Sequence, residues 1–218
     1  MNGGVCVGSE DENRDVKRAT AVGHLVEMAA TADDRLRLRE GDIGWPLQEL
    51  WAGGELLEEH DQLEAGGVVL VLDLPPDELP WLAVHPSAEW VGAELRLGKR
   101  PFFWAYRPAL WPVWNHRHRR LVRFWTARNG TDAAVLDALR ERRLAGLPVA
   151  EPSAAQLVDQ LRVELAASEA HLRSVVSSYW DPTWRRLQKG PDTSAEDQLW
   201  RAAQATVEIK DALAELGR

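Results

Sequence analysis

The chain has 218 residues and a formal net charge of −8, with 45% hydrophobic and 28% charged residues. That is a globular composition, long enough for one full core or for a domain with a helical appendage. A single cysteine, Cys6, excludes a disulfide framework and most thiolate metal sites. The longest apolar run, Val68–Leu72, is far short of a membrane span, and Met1–Asp15 lacks the features of a secretory signal, so the expected location is cytoplasmic.

In chain order, residues 1–14 read as a disordered tail, being small, polar and aperiodic. Asp15 is placed to cap a first helix with Val16, Ala19, Val22, Val26 and Ala29 on one face. A turn at Gly41 or Gly44 follows. Leu47–Ala52 alternates like a half-buried strand and ends at Gly53-Gly54. Glu55–Leu63 predicts a short acidic helix or an ordered loop. Val68–Leu74 is apolar on both faces, as a central strand must be, and Pro75-Pro76 stops it.

Ser87–Leu97 fits a helix, while Phe102–Tyr106 and Leu121–Trp125 are aromatic and β-branched enough for strands. Beyond Asn129-Gly130 the chain turns helical. Thr131 or Asp132 caps a helix that runs to Arg143. Ser153 caps a longer one with Leu157, Leu161, Leu165, Leu172, Val176 and Tyr179 as its stripe, and Asp181-Pro182 interrupts it. Ser194 opens the last helix, with Leu199, Ala203, Thr206, Leu213 and Leu216 on one side. The pattern predicts an α+β fold: a small mixed sheet with flanking helices over residues 15–131, then a C-terminal helical segment, 132–218, packed on it.

Charge is laid out in blocks. Between Glu40 and Leu95 there are thirteen acidic residues and no Lys or Arg, whereas Arg96–Thr131 holds nine basic residues and no acid. Such blocks are expected to neutralise each other, within one chain or across a homodimer. The basic block also carries all three phenylalanines, Tyr106 and four of the eleven tryptophans. Clustered tryptophans mark either a core lined with polar groups or a wet pocket, since a buried indole N–H needs an acceptor.

Arginines interleaved with aromatics suit an oxyanion beside a ring. Trp104, Arg107, Arg119, Arg120 and Arg123 are therefore candidate ligand-binding residues, for a small anionic ligand or nucleotide. The acidic net charge argues against extended nucleic acid. In the acidic block, Glu58, Asp73 and Asp77 are candidate Mg²⁺ ligands; the competing reading is a solvated acidic face, with no cofactor. His116-x-His118 is a poor cation site beside Arg117, Arg119 and Arg120. His24 and His171 read as satisfied structural histidines.

Leu47–Leu74 resembles the heart of the nucleotidyltransferase fold, with Leu50–Gly54 as strand and turn, Glu55–Glu64 as helix and Val68–Leu74 as second strand. The family's serine is replaced by Gly54, and its paired aspartates by Gly66-Gly67-Val68-Val69, with only Asp73 offering a carboxylate. The resemblance implies a scaffold without metal-dependent catalysis. With 22 arginines to 4 lysines the chain also resembles proteins of high-GC, actinobacterial-type bacteria, a likeness that carries no function. Three readings follow: a non-catalytic binding or interaction protein, a metal-assisted nucleotidyl or phosphoryl transferase, and a homo-oligomer held by its charge blocks.

Overall fold

The computed structural model describes residues 16–36, 47–63, 66–188 and 194–218. The elements run β1 (Val16–Lys17), α1 (Arg18–Thr31), β2 (Leu47–Gly54), β3 (Gln62–Leu63), β4 (Gly66–Leu72), α2 (Pro86–Glu94), β5 (Phe102–Pro108), β6 (Leu121–Thr126), β7 (Gly130–Thr131), α3 (Ala133–Arg140), β8 (Val149–Ala150), α4 (Ala154–Ser178), α5 (Pro182–Leu187) and α6 (Ala195–Leu216). The fold is α+β, as the sequence pattern implies. The tail, Asp15 and the expected turn at Gly41 or Gly44 lie outside the described residues.

A six-stranded sheet has the order β5-β4-β2-β6-β7, with β8 also on β6, and β1 and β3 form a separate ribbon. Only β4 and β5 run parallel; the other pairs are antiparallel. Strand β4 lies between β2 and β5, and all seven of its residues are buried. Alternate residues serve two faces. Val68, Leu70 and Leu72 join a core under α1, α2 and α3 that includes Val22, Leu25, Met28, Val91 and Leu139. Val69 and Val71 meet Val113 and Leu121 on the other face.

Helices α4 and α6 form an antiparallel hairpin over that second face. Leu157, Leu161, Ala205 and Ile209 pack on Trp81 and on Ala105 of β5. Both helices begin with capping boxes, Ser153 with Gln156 and Ser194 with Asp197. Asp181 caps α5 through bonds from the Thr183 and Trp184 N–H groups. No helix among the described residues is long and apolar enough to cross a membrane.

Several local expectations are corrected. Of the two alternatives for Glu55–Leu63, helix or ordered loop, the structure has one 3₁₀ turn, Glu55–Leu57, followed by loop and by β3. The helix of the nucleotidyltransferase resemblance is therefore not present. On α1 the buried stripe is Arg18, Ala21, Val22, Leu25, Met28 and Ala29, and Val26 is 37% exposed. Arg18 is buried because its guanidinium donates to the carbonyls of Glu55, Leu56, Glu58, His60 and Leu139. It staples α1 to the loop after β2 and to the end of α3. On α4, Glu164, Ser168 and Val175 are buried, whereas the expected Val176 is 54% exposed.

Candidate functional site

The five candidate ligand-binding residues do not converge. Trp104 and Arg107 are three apart on β5 and so point to opposite faces. Trp104 packs against the core beneath α1 and α2 and borders a cavity of about 40 Å³ with Trp81 and Tyr106, room for a water or two. Arg107 is 1% exposed and makes a two-pronged ion pair with Glu164 of α4, at 2.9 and 2.7 Å. Its other donors reach the carbonyls of Pro112 and Trp114. It is consumed by structure. Arg119 is exposed, and Arg120 pairs with Glu151 at 3.3 Å on the surface.

The candidate metal ligands are also separated. Glu58 follows the Gly54 end of β2, while Asp73 follows the far end of β4, where Leu72 faces Leu47. A strand of this length puts them roughly 20 Å apart. Asp77 lies in the turn beyond, where Glu78 and Leu79 donate back to Pro75. Among the described residues no group of three or more His, Cys, Asp or Glu side chains could hold a metal ion.

Arg123 does reach a concave surface. A cleft of about 510 Å³ opens at the ends of β2, β4 and β6, lined by Glu49, Val71, Asp73, Arg123, Arg128 and Asn129 among others. A recess of about 250 Å³ beside it shares Arg123, Thr126 and Asn129. Register builds the floor, since Glu49 of β2 stands opposite both Val71 of β4 and Thr126 of β6. Arg123 is held in place: one N–H bonds Glu49 at 2.5 Å, and its guanidinium lies 5.4 Å from the Trp51 ring centre. The Trp51 indole donates to the other Glu49 oxygen at 2.7 Å.

A second polar cluster ties α6 to the sheet. Asn115 folds its loop into a tight turn by accepting from the Arg117 and His118 N–H groups. That turn presents His116 and Arg117 to Glu208, which also accepts from Trp81 at 3.0 Å and Gln204 at 2.8 Å. Burial alone would raise the Glu208 pKa. The hydrogen bonds from His116, Arg117, Trp81 and Gln204 outweigh it and hold the carboxyl well below its ordinary range. His118 is pushed down to about 4 by burial and by Arg107, His116 and Arg117 around it. The His116-x-His118 pair lies in this turn. His171, read as satisfied, has a buried Nε2 with no partner among the described residues. Burial lowers its pKa too.

The charge blocks do not simply pair with each other. Arg123–Glu49 joins them, but Arg100, Arg107, Arg117 and Arg120 reach Glu27, Glu164, Glu208 and Glu151, all outside the acidic block. Much of the basic block is there to receive the helices. Three tryptophans have acidic partners: the buried Trp81 and Trp125 and the half-buried Trp51 donate to Glu208, Asp33 and Glu49.

Exposed apolar side chains include Val26, Phe103 and Leu110 outside the hairpin, but most belong to the hairpin and its connection, which the sequence reading missed. Trp180 is 81% exposed, Leu187 77% and Trp200 57%. A signal was there to be read: Trp200 is out of phase with the buried stripe Gln198, Ala202, Ala205 and Ile209. No curated protein and no solved structure matches the chain. A family described as a domain of unknown function (DUF7711) matches residues 16–215, and the chain belongs to that family.

Proposed function

We propose that this chain is a non-catalytic interaction protein whose sheet and helices hold the α4–α6 hairpin as an arm for docking a protein partner. The observation that carries the reading is the exposure of Trp180, Leu187, Trp200 and Val176 toward the hairpin's free end. Large apolar side chains grouped on one element mark an interaction surface more often than isolated ones do. The base of the arm is fixed by Leu157, Leu161, Ala205, Ile209 and Ala212 in the core, and by the Glu164 and Glu208 clusters. The far end has α5, none of whose residues is buried. Scattered carboxylates support a role without metal-assisted transfer, and the nucleotidyltransferase likeness carries no part of the reading.

The test combines Trp180→Ser, Leu187→Ser and Trp200→Ser. Exposed side chains add little to folding, so the melting temperature should stay within a few degrees of the parent. Self-association is followed by sedimentation. Contacts to another protein are followed by a photo-crosslinking residue at position 187 in the native cell. Loss of self-association in the triple variant, or loss of the crosslinks from position 187 when Trp180→Ser and Trp200→Ser accompany the crosslinking residue, supports the reading. Crosslinks from position 187 no more frequent than from the exposed Asp159 at the arm's base, together with a monomer at every concentration, would refute it.

A further inference from the structure

The geometry points to a ligand site independent of the hairpin: the cleft at the ends of β2, β4 and β6 takes a small zwitterion, an ammonium and a carboxylate on one molecule, as in a free amino acid. Its volume, about 510 Å³, is within the range of small-molecule sites, and none of its lining residues comes from the hairpin.

The charges of the wall select the ligand. Four ionised side chains line the cleft, Glu49, Asp73, Arg123 and Arg128. Glu49 is already committed, one oxygen to Arg123 and the other to the Trp51 indole. Asp73 is exposed and has no ion pair among the described residues. Arg123 has one of its five N–H groups bound to Glu49, leaving donors for an anion. Arg128, which already has a partner, is a second cation on the same wall. A simple anion would meet Asp73, and a simple cation would meet two guanidiniums. A molecule with both poles satisfies each.

The spacing agrees. Asp73 follows β4 and the Arg123 guanidinium comes from β6, and β2 lies between those strands. Two strand spacings are about 10 Å. An ammonium and a carboxylate a few ångström apart, with a hydrogen bond at each end, bridge a gap of that order. Val71 and Ala109 supply an apolar wall for the carbon skeleton. Trp51 holds the Arg123 guanidinium flat, so the anion-binding fork is pre-formed.

The experiment titrates the whole chain with the common L-amino acids, each beside its deaminated acid and its decarboxylated amine, by thermal shift and calorimetry. At least one amino acid is expected to raise the melting temperature and bind about ten-fold or more tighter than either one-poled counterpart, the weight of one charged hydrogen bond. Asp73→Asn should weaken the amino acid by about ten-fold and strengthen the acid's weak binding, because the like charge it meets is gone. Arg119→Gln, outside the cleft, should change nothing. The hairpin triple variant should bind like the parent, which separates this site from the docking arm. No binding by any amino acid, equal binding of the acid or the amine, or indifference to Asp73→Asn would overturn the inference.

Discussion

Arg107 and Glu164 meet across the interface between sheet and hairpin with both side chains at 1% exposure or less, guanidinium edge to carboxylate edge. Gln160 adds a bond to the same carboxylate at 3.1 Å, and Trp111 lies 5.4 Å from the guanidinium. The pair fixes where α4 crosses β5.

Removing one partner leaves a buried charge alone. Glu164→Ala should therefore cost about 3–5 kcal/mol in urea unfolding. Arg107→Met with Glu164→Leu removes both charges and should recover most of that loss, because desolvating the pair offsets much of its attraction. A single variant that costs less than about 1 kcal/mol would mean the carboxylate is not desolvated in solution.

Acid should loosen the same interface in two stages. Burial and the cations around it push the His118 pKa from its ordinary 6.5 down to about 4 in the folded chain. The unfolded chain therefore takes up a proton first, and stability falls as pH drops from about 6.5 to 4. The loss is of the order of 1–3 kcal/mol. His118→Gln should flatten that window. The Glu208 pKa is depressed, so its contribution is present above the ordinary value of 4.5 and is lost as pH falls below it. Glu208→Gln should leave the upper window intact and remove only the lower one. Identical pH profiles for parent and His118→Gln, measured by thermal unfolding, would count against the buried histidine.

What was legible in the sequence was local. The Val68–Leu72 run fixed a strand buried on both faces, and Ser153 and Ser194 marked helix starts through their own hydrogen bonds, whereas Asp181-Pro182 read only as a break and in fact caps α5. The stripes were misplaced wherever a polar side chain is buried. Arg18 and Glu164 occupy core positions because each meets a partner that is distant in sequence. Arg107 and Glu164 are 57 residues apart and Arg117 and Glu208 are 91, so no local window contains either pair. The cleft was half visible, through Asp73 and Arg123; Glu49 and Arg128 belong to it by register alone.

Arg18→Met tests the staple at the start of α1. The apolar stem is kept, but the carbonyls of Glu55, Leu56, Glu58, His60 and Leu139 lose a shared donor. Bonds to a charged group are worth about 1.5–3 kcal/mol, and stranded acceptors add to the loss, so a cost of at least about 3 kcal/mol is expected. Amide exchange should rise first around residues 55–61. Unchanged exchange there would show that water replaces the guanidinium without penalty.

Gly92→Ala tests how closely α2 approaches β5. A methyl group at residue 92 would lie 2.2 Å from the Tyr106 hydroxyl oxygen and 3.3 Å from a Leu97 methyl. Helix propensity alone favours alanine by about 1 kcal/mol, so an open site would be stabilised. Here the contact is far inside van der Waals distance, and Tyr106 sits in a strand whose backbone is fixed by its pairing with β4. The ring must swing or α2 must lift from Val91 and Leu95, which are fully buried. Overpacking of that kind costs about 1–3 kcal/mol, which exceeds the propensity gain. The net result expected is a destabilised protein. Tyr106→Phe on the same background removes the clashing oxygen and should restore part of the loss. If Gly92→Ala alone were stabilising, the spacing of α2 over the sheet would be looser than the Tyr106 contact requires, and that helix would be free to settle outward.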